Sequence, residues 1–160
     1  MRHIAKHKRP GKMIDEIRAG DTATVSHLIT EREVYMYMGL TNDLNPIYVD
    51  RDYASRTQFK EPIVPVMLVA GHIGAAITAR LPGPGTITVS QRFSFEQPVK
   101  YGDTITTELE VIEVKAKEHR VRLRTVTRNQ HATVVVTGEC EVIAPPKLTS
   151  VLNLAFEDYE

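Results

Sequence analysis

The spacing of apolar and polar residues predicts a strand and then a helix in the first quarter of the chain. From residue 21 to 28 polar and apolar side chains alternate, which is the two-residue period of a short strand. Thr30 followed by Glu33 is a capping-box pattern, which predicts a helix over residues 31–40. The Asn, Asp and Pro residues directly after it predict the end of that helix.

A second and longer apolar stretch, residues 63–79, carries no charged side chain. As a helix it would be about 25 Å long, short of the roughly 30 Å hydrocarbon core of a bilayer. It also contains Pro65 and His72. We therefore expect a helix over about residues 66–80 in a protein core, with no membrane association. Because no side of this helix is polar, the pattern predicts that it is buried all round.

After the "LPGPG" break the period returns to two, which predicts strands near residues 87–95, 104–115, 121–128 and 132–142. Within the second of these, the apolar positions change phase, which predicts a bulge or a strong twist. One buried helix among antiparallel strands is an α+β arrangement, and its length and order suit a hot-dog fold, a curled sheet around one central helix. Such a sheet leaves part of the helix uncovered, so we expect a homodimer or a higher homo-oligomer.

The 160 residues suit one domain with a basic tail at 1–13, a folded part at 14–146 and an acidic tail at 147–160. Twenty basic and twenty acidic residues cancel, so the chain has no overall field to gather nucleic acid or an anionic membrane. The single Cys140 excludes an internal disulfide and agrees with a cytoplasmic location. No signal peptide is visible.

Several kinds of catalytic or cofactor site are absent from the sequence. It contains no G-x-S-x-G, P-loop, G-x-G-x-x-G after a strand or H-E-x-x-H. Its six histidines show no metal-ligand spacing, so we expect neither a metal nor another cofactor. The remaining candidate is the decapeptide "TNDLNPIYVD", residues 41–50. On their own, Asp43 and Asn45 there fit a turn at a helix end as well as they fit a reactive site, and Asp50 or Asp52 can cap a further short turn of helix.

The stretch from this decapeptide to "FEQPVKYGD" resembles the MaoC-like dehydratases, the hot-dog family that includes the (R)-specific enoyl-CoA hydratases. The resemblance covers roughly residues 14–143. The positions that match the family pattern are Asp43, Asn45, Pro46, Asp50, Phe59, Pro62, Ile63, Val64, Met67, Leu68, Pro98, Gly102 and Asp103. Two departures lie at the catalytic centre: the family's histidine falls on Tyr48, and its "H-G" falls on Pro65-Val66.

The resemblance implies hydration or dehydration of a fatty acyl thioester, with acyl-CoA or acyl carrier protein as the substrate's handle. In that reaction Asp43 would be the main acid/base group, and the Val66 N–H would face the thioester oxygen. A phenol with a pKa near 10 is a poor base, so Asn45 and Tyr48 would orient water or substrate. Because only the aspartate of the family's aspartate–histidine pair is present, a second interpretation is open: an acyl-CoA-binding module or the inactive partner of a catalytic subunit. A thioesterase is a third, weakened because the central helix has no Asp or Glu.

His72 is an additional candidate, since it is the only ionisable side chain inside the apolar helix before Arg80. It could replace the missing catalytic base, or it could be a hydrogen-bonded histidine of the core or of a dimer interface. Four arginines on polar sides of predicted strands could likewise bind the phosphates of CoA or simply be solvated: Arg92, Arg122, Arg124 and Arg128.

Overall fold

A computed structural model of the chain describes residues 11–145, and the fold below refers to these residues. Most of the two predicted tails, residues 1–10 and 146–160, lies outside the described residues. The helices are α1 (Glu31–Thr41), α2 (Arg51–Ser55) and α3 (Val66–Arg80). The strands are β1 (Thr22–Leu28), β2 (Ile87–Phe95), β3 (Thr104–Lys115), β4 (Arg120–Arg128) and β5 (Val134–Ile143).

The five strands form one antiparallel sheet in the order β1-β3-β4-β5-β2. The register between β3 and β4 shifts between Val111 and Glu113, where the change of apolar phase predicted a bulge. Helix α3 packs on β1, β2 and β3. Buried Ile77 joins a cluster with Leu109 and Leu123 from the sheet, while Ile73 joins a second cluster with Ile105. The predicted α+β architecture, a curled sheet against one long helix, is confirmed.

The capping box predicted for α1 is present. The Thr30 Oγ1 accepts the N–H of Glu33 at 3.3 Å, and the Thr30 N–H donates to the Glu33 carboxylate at 2.7 Å. At the other end, Asn42 takes the left-handed conformation with φ 57° and donates its N–H to the Met38 carbonyl at 2.8 Å. These two caps fix where the helix begins and where the decapeptide leaves it.

The prediction that α3 is buried on every side is wrong for a single chain. Ile73 and Ile77 are fully buried, but Met67 is 59% exposed, and Gly71 and Ala75 are exposed as well. The physical reason is that the sheet covers only one side of the helix. None of the helices formed by residues 11–145 is long and apolar enough to cross a bilayer.

Strand β2 is also more exposed than its alternating pattern indicated. It lies at the edge of the sheet and pairs only with β5. Its apolar side chains Ile87, Val89 and Phe95 are 60%, 44% and 41% exposed. The uncovered side of α3 and this edge strand together form what we call the open surface of the chain.

Candidate active site

Polar residues of the decapeptide have visible structural roles in the turn that it forms. The Asn45 Oδ1 accepts the N–H of Ile47 at 3.2 Å, and the Asp50 Oδ1 accepts the N–H of Tyr53 at 2.9 Å. Asp50, and not Asp52, is therefore the cap of α2. Backbone carbonyls accept the N–H groups of Tyr48 and Asp50 in the same turn, so side-chain and backbone acceptors together fix this segment.

Asp43 differs from these residues. Its N–H donates to the Thr41 Oγ1 at 3.3 Å, which fixes the backbone, but within residues 11–145 its carboxylate accepts no backbone N–H. The carboxylate instead lies close enough to the Tyr48 hydroxyl to perturb its ionisation. Within the described residues the Asp43 carboxylate therefore does not cap the turn that it belongs to.

Tyr48 is held in its protonated form. Burial raises its pKa above 10.0, the negative charge of Asp43 raises it further, and Tyr37 adds to the effect. The contact with Asn45 opposes these effects but does not cancel them. At neutral pH the side chain is therefore a protonated phenol next to the Asp43 carboxylate and the Asn45 amide, and not a base.

The start of α3 is fixed beside the decapeptide by backbone hydrogen bonds. The N–H of Ile63 donates to the Ile47 carbonyl at 3.2 Å, and the N–H of Val64 donates to the Val99 carbonyl at 2.8 Å. From the turn before β3, the Tyr101 hydroxyl donates to the Tyr48 carbonyl. Three segments that are distant in sequence therefore meet at this point.

Val66 is the first residue of α3, and Pro65 before it supplies no side-chain cap. The N–H groups of a first helical turn have no partner inside the helix and carry a partial positive charge. The Val66 N–H is thus available to an anionic oxygen. Its own side chain is 41% exposed, and Leu44 in the decapeptide is 67% exposed. In a single chain the start of α3 is therefore open to solvent beside Val66 and Leu44.

The structure places His72 away from Asp43. The His72 Nε2 lies 3.6 Å from Glu33 Oε1, and its ring stacks on His27 with centroids 3.9 Å apart. Glu33 is in the first turn of α1 and Asp43 follows its last, ten residues or about 15 Å away. Burial lowers the pKa of His72, and the neighbouring His27 lowers it further against the opposing charge of Glu33.

Sequence reasoning missed two features of this region: the contact that Tyr101 makes with Tyr48, and the cluster of His27, Glu33 and His72. Nothing in the "PVKYGD" stretch indicated that Tyr101 would hold the Tyr48 backbone. The capping box did place Glu33, but no spacing along the chain indicated that His27 and His72 would meet there.

The arginines proposed as possible phosphate ligands are paired with carboxylates. Arg122 is paired with two glutamates at 2.9 Å each, and Arg124 is paired with one at 3.0 Å. These pairs fit the interpretation of a solvated face.

Known proteins resemble this chain over most of its length. The MaoC like domain family matches residues 13–136. An (R)-specific enoyl-CoA hydratase from Rhodospirillum rubrum is 39% identical over 133 residues, 83% of this chain and 92% of that protein. A 3-hydroxybutyryl-CoA dehydratase from Methylorubrum extorquens is 34% identical over 83% of this chain and 84% of its own. The unliganded (R)-hydratase of Pseudomonas aeruginosa, 42% identical, superposes with a TM-score of 0.80 over 86% of this chain and 88% of that one. These likenesses confirm the predicted hot-dog fold.

Proposed function

Because the chain belongs to the MaoC-like domain family, we propose that it adds water to a fatty 2-enoyl thioester or removes water from the 3-hydroxyacyl product. The names of its relatives, an (R)-specific enoyl-CoA hydratase and a 3-hydroxybutyryl-CoA dehydratase, support this reaction class. The observation that carries the proposal is the Asp43 carboxylate, which caps no backbone in the described chain and lies against a protonated phenol.

In the proposed hydration, Asp43 accepts a proton from water while the water oxygen bonds to C3 of the enoyl group. The electrons of the double bond move to the thioester oxygen, which becomes an enolate. The Val66 N–H, at the positive end of α3, stabilises that oxygen. Tyr48 and Asn45 donate hydrogen bonds that orient the water. The residues supply a base, an oxyanion donor and orientation, and this reaction needs no metal or redox cofactor.

The proton that completes the product at C2 comes from Asp43 in this proposal. Tyr48 is a poor source, because its pKa is raised by burial and by the Asp43 charge, and loss of its proton would create a phenolate in that environment. The carboxylic acid formed at Asp43 in the first step can return its proton instead. One carboxylate thus serves both proton transfers, and we expect a slower enzyme than one with a carboxylate and an imidazole.

An assay with crotonyl-CoA and longer enoyl-CoAs tests the proposal. Loss of the conjugated absorbance and release of free thiol are followed together on the purified full chain. Hydration without thiol supports the proposed function. Thiol release would replace it with a thioesterase, and binding without either signal would replace it with an acyl-CoA-binding module or an inactive partner subunit.

Asp43→Asn is the variant that tests the assigned base. General acid–base groups contribute about 10²–10⁴-fold to rate, so hydration should fall by at least about 10²-fold while substrate binding persists. Asp52→Asn is the control, since Asp52 caps neither helix in the described chain, and it should retain the wild-type rate. Retained hydration in Asp43→Asn would remove Asp43 from its role.

We also propose that the active form is a homodimer in the cytoplasm. The exposed apolar residues of the open surface support a partner copy, because patches of this kind on soluble proteins mark association sites. The single thiol, Cys140, is buried and suits a reducing compartment.

A further inference from the structure

Three side chains from three different elements meet at the first turn of α1. The His27 Nε2 of β1 lies 2.6 Å from Glu33 Oε1, and the His72 Nε2 of α3 lies 3.6 Å from the same oxygen. One ligand atom from each residue lies within 4.8 Å of the other two. From this geometry we infer that His27, Glu33 and His72 form a binding site for a divalent transition metal, with Zn²⁺ the best match.

The ligand chemistry supports that choice. Two imidazoles and one carboxylate are a common three-residue set for zinc, with a water molecule as the fourth ligand. Hard ions such as Mg²⁺ and Ca²⁺ prefer sets made only of oxygen. In a tetrahedral site with bonds of about 2.1 Å, neighbouring ligand atoms are about 3.4 Å apart. The distances from Glu33 Oε1 to the two imidazole nitrogens lie on either side of that value, and the ligand atoms of the two histidines lie within 4.8 Å of each other.

Glu33 is already oriented for this role by Thr30. The N–H and the Oγ1 of Thr30 both donate to Glu33 Oε2 at 2.7 Å, which leaves Oε1 pointing at the two histidines. Outer hydrogen bonds of this kind hold metal-binding carboxylates in place and strengthen binding. The capping box of α1 therefore doubles as support for the metal site.

His72 provides an independent observation. Its Nε2 is buried, and no group within residues 11–145 lies at hydrogen-bond distance from it. A buried polar atom without a partner is costly, and a metal ion would satisfy it. His27 is 40% exposed on its side chain, so its ring can turn out of the stack on His72 to share the ion.

A cavity of about 150 Å³ adjoins the two histidines and is lined further by Val25, Ala75 and Ala79. Glu33 lines the neighbouring groove together with His27. Liquid water takes about 30 Å³ per molecule, so the cavity has room for water ligands of an ion bound beside it. The small side chains of α3 leave this room. The metal site is separate from Asp43, about 15 Å away at the other end of α1, so the inference stands apart from the proposed hydration.

The test measures Zn²⁺ binding by titration calorimetry on the full-length chain without an affinity tag, after treatment with a chelator. We expect one ion per chain, and with Co²⁺ the visible absorption of a low-coordinate site. Glu33→Gln keeps a capping box, since glutamine also serves at that position, and should weaken binding at least about tenfold. His72→Gln should do the same. His131→Gln, in the hairpin after β4, is the matched control and should bind like wild type.

Unfolding curves of each variant establish that it folds before its binding is measured. Absence of Zn²⁺ binding to the wild-type chain would overturn the inference. So would equal binding by wild type, Glu33→Gln and His72→Gln, because the ion would then be bound by other histidines. None of these readouts depends on hydration of an enoyl thioester.

Discussion

In the proposed active site, Asp43 and Tyr48 would contribute unequally to proton transfer. The carboxylate is left without a backbone partner in the described chain, while the phenol keeps its proton and cannot act as a base near neutral pH. The reaction requires a group that exchanges protons near neutral pH, and a reference pKa of about 6.5 makes histidine suitable where tyrosine is not. Position 48 is therefore where we expect the rate to be limited.

Tyr48→His tests this expectation. Because the imidazole adds a second proton acceptor beside Asp43, hydration of crotonyl-CoA should rise by about 10²-fold or more, measured as kcat/KM. Tyr48→Phe is the control, because it removes the hydroxyl without adding a base and should give no gain. An unchanged rate in Tyr48→His would show that this position is not the missing base.

Tyr101 supports the same segment and gives a prediction for alkaline pH. Burial raises the pKa of Tyr101 to about 12, with further contributions from Tyr35 and Glu31. The folded chain thus keeps this proton when the unfolded chain loses it near pH 10. The stability contribution is fully present below pH 10 and is lost as the pH rises towards 12.

Tyr101→Phe should lower the free energy of unfolding by about 1 kcal/mol at pH 8, because the hydrogen bond to the Tyr48 carbonyl is lost. Above pH 10 the variant should lose stability less steeply than wild type. Urea unfolding at pH 8, 10 and 11 measures both effects. Tyr53→Phe, at a tyrosine that is 49% exposed, should follow the wild-type curve. A parallel decline in Tyr101→Phe would contradict the assignment.

At the level of single residues, contacts can be anticipated from the sequence where the partners are close along the chain. Asp43 and Tyr48 are five positions apart in one turn, and the structure brings them together. Glu33 and His72 are far apart in sequence, and the fold brings their side chains together. No spacing along the chain encodes this contact, so the cluster could not be predicted.

At the level of elements, the helix boundaries follow from their caps. The boundaries of α1 and α3 agree with prediction to within one residue, since capping side chains and the break after residue 80 are written into the sequence. Exposure could not be predicted in the same way. An apolar helix indicates that its surface is covered, but not whether the cover comes from its own sheet or from another chain. That is why the burial of α3 was overestimated.

The short helix α2 gives a matched pair of variants. Asp50 accepts the N–H of Tyr53, whereas Asp52 lies inside the helix. Asp50→Ala should therefore lower the free energy of unfolding by about 1 kcal/mol, and Asp52→Ala should change it by less than about 0.5 kcal/mol. Chemical denaturation of the two variants side by side measures the difference. Equal losses would mean that the cap does not stabilise α2.

At the level of the whole molecule, the open surface predicts the oligomeric state. Light scattering after size exclusion should give twice the chain mass of 18.0 kDa. Val89→Arg places a charge among the exposed apolar residues of β2 and should shift the population towards the single-chain mass. Thr24→Arg, on the exposed face of the opposite edge strand β1, should remain dimeric. A monomeric wild type, or a Val89→Arg variant that stays dimeric, would contradict this surface as the interface.

Helix α1 is continuous from the Glu33 cluster to the Asp43 turn, so it fixes both the distance between them and their relative orientation. Inserting a single residue between them would swing one end about 100° around the axis relative to the other and push it about 1.5 Å further away. We therefore expect an insertion or deletion within α1 to disturb the relative placement of the two sites, and substitutions of the exposed Tyr35 and Met36 to leave it unchanged.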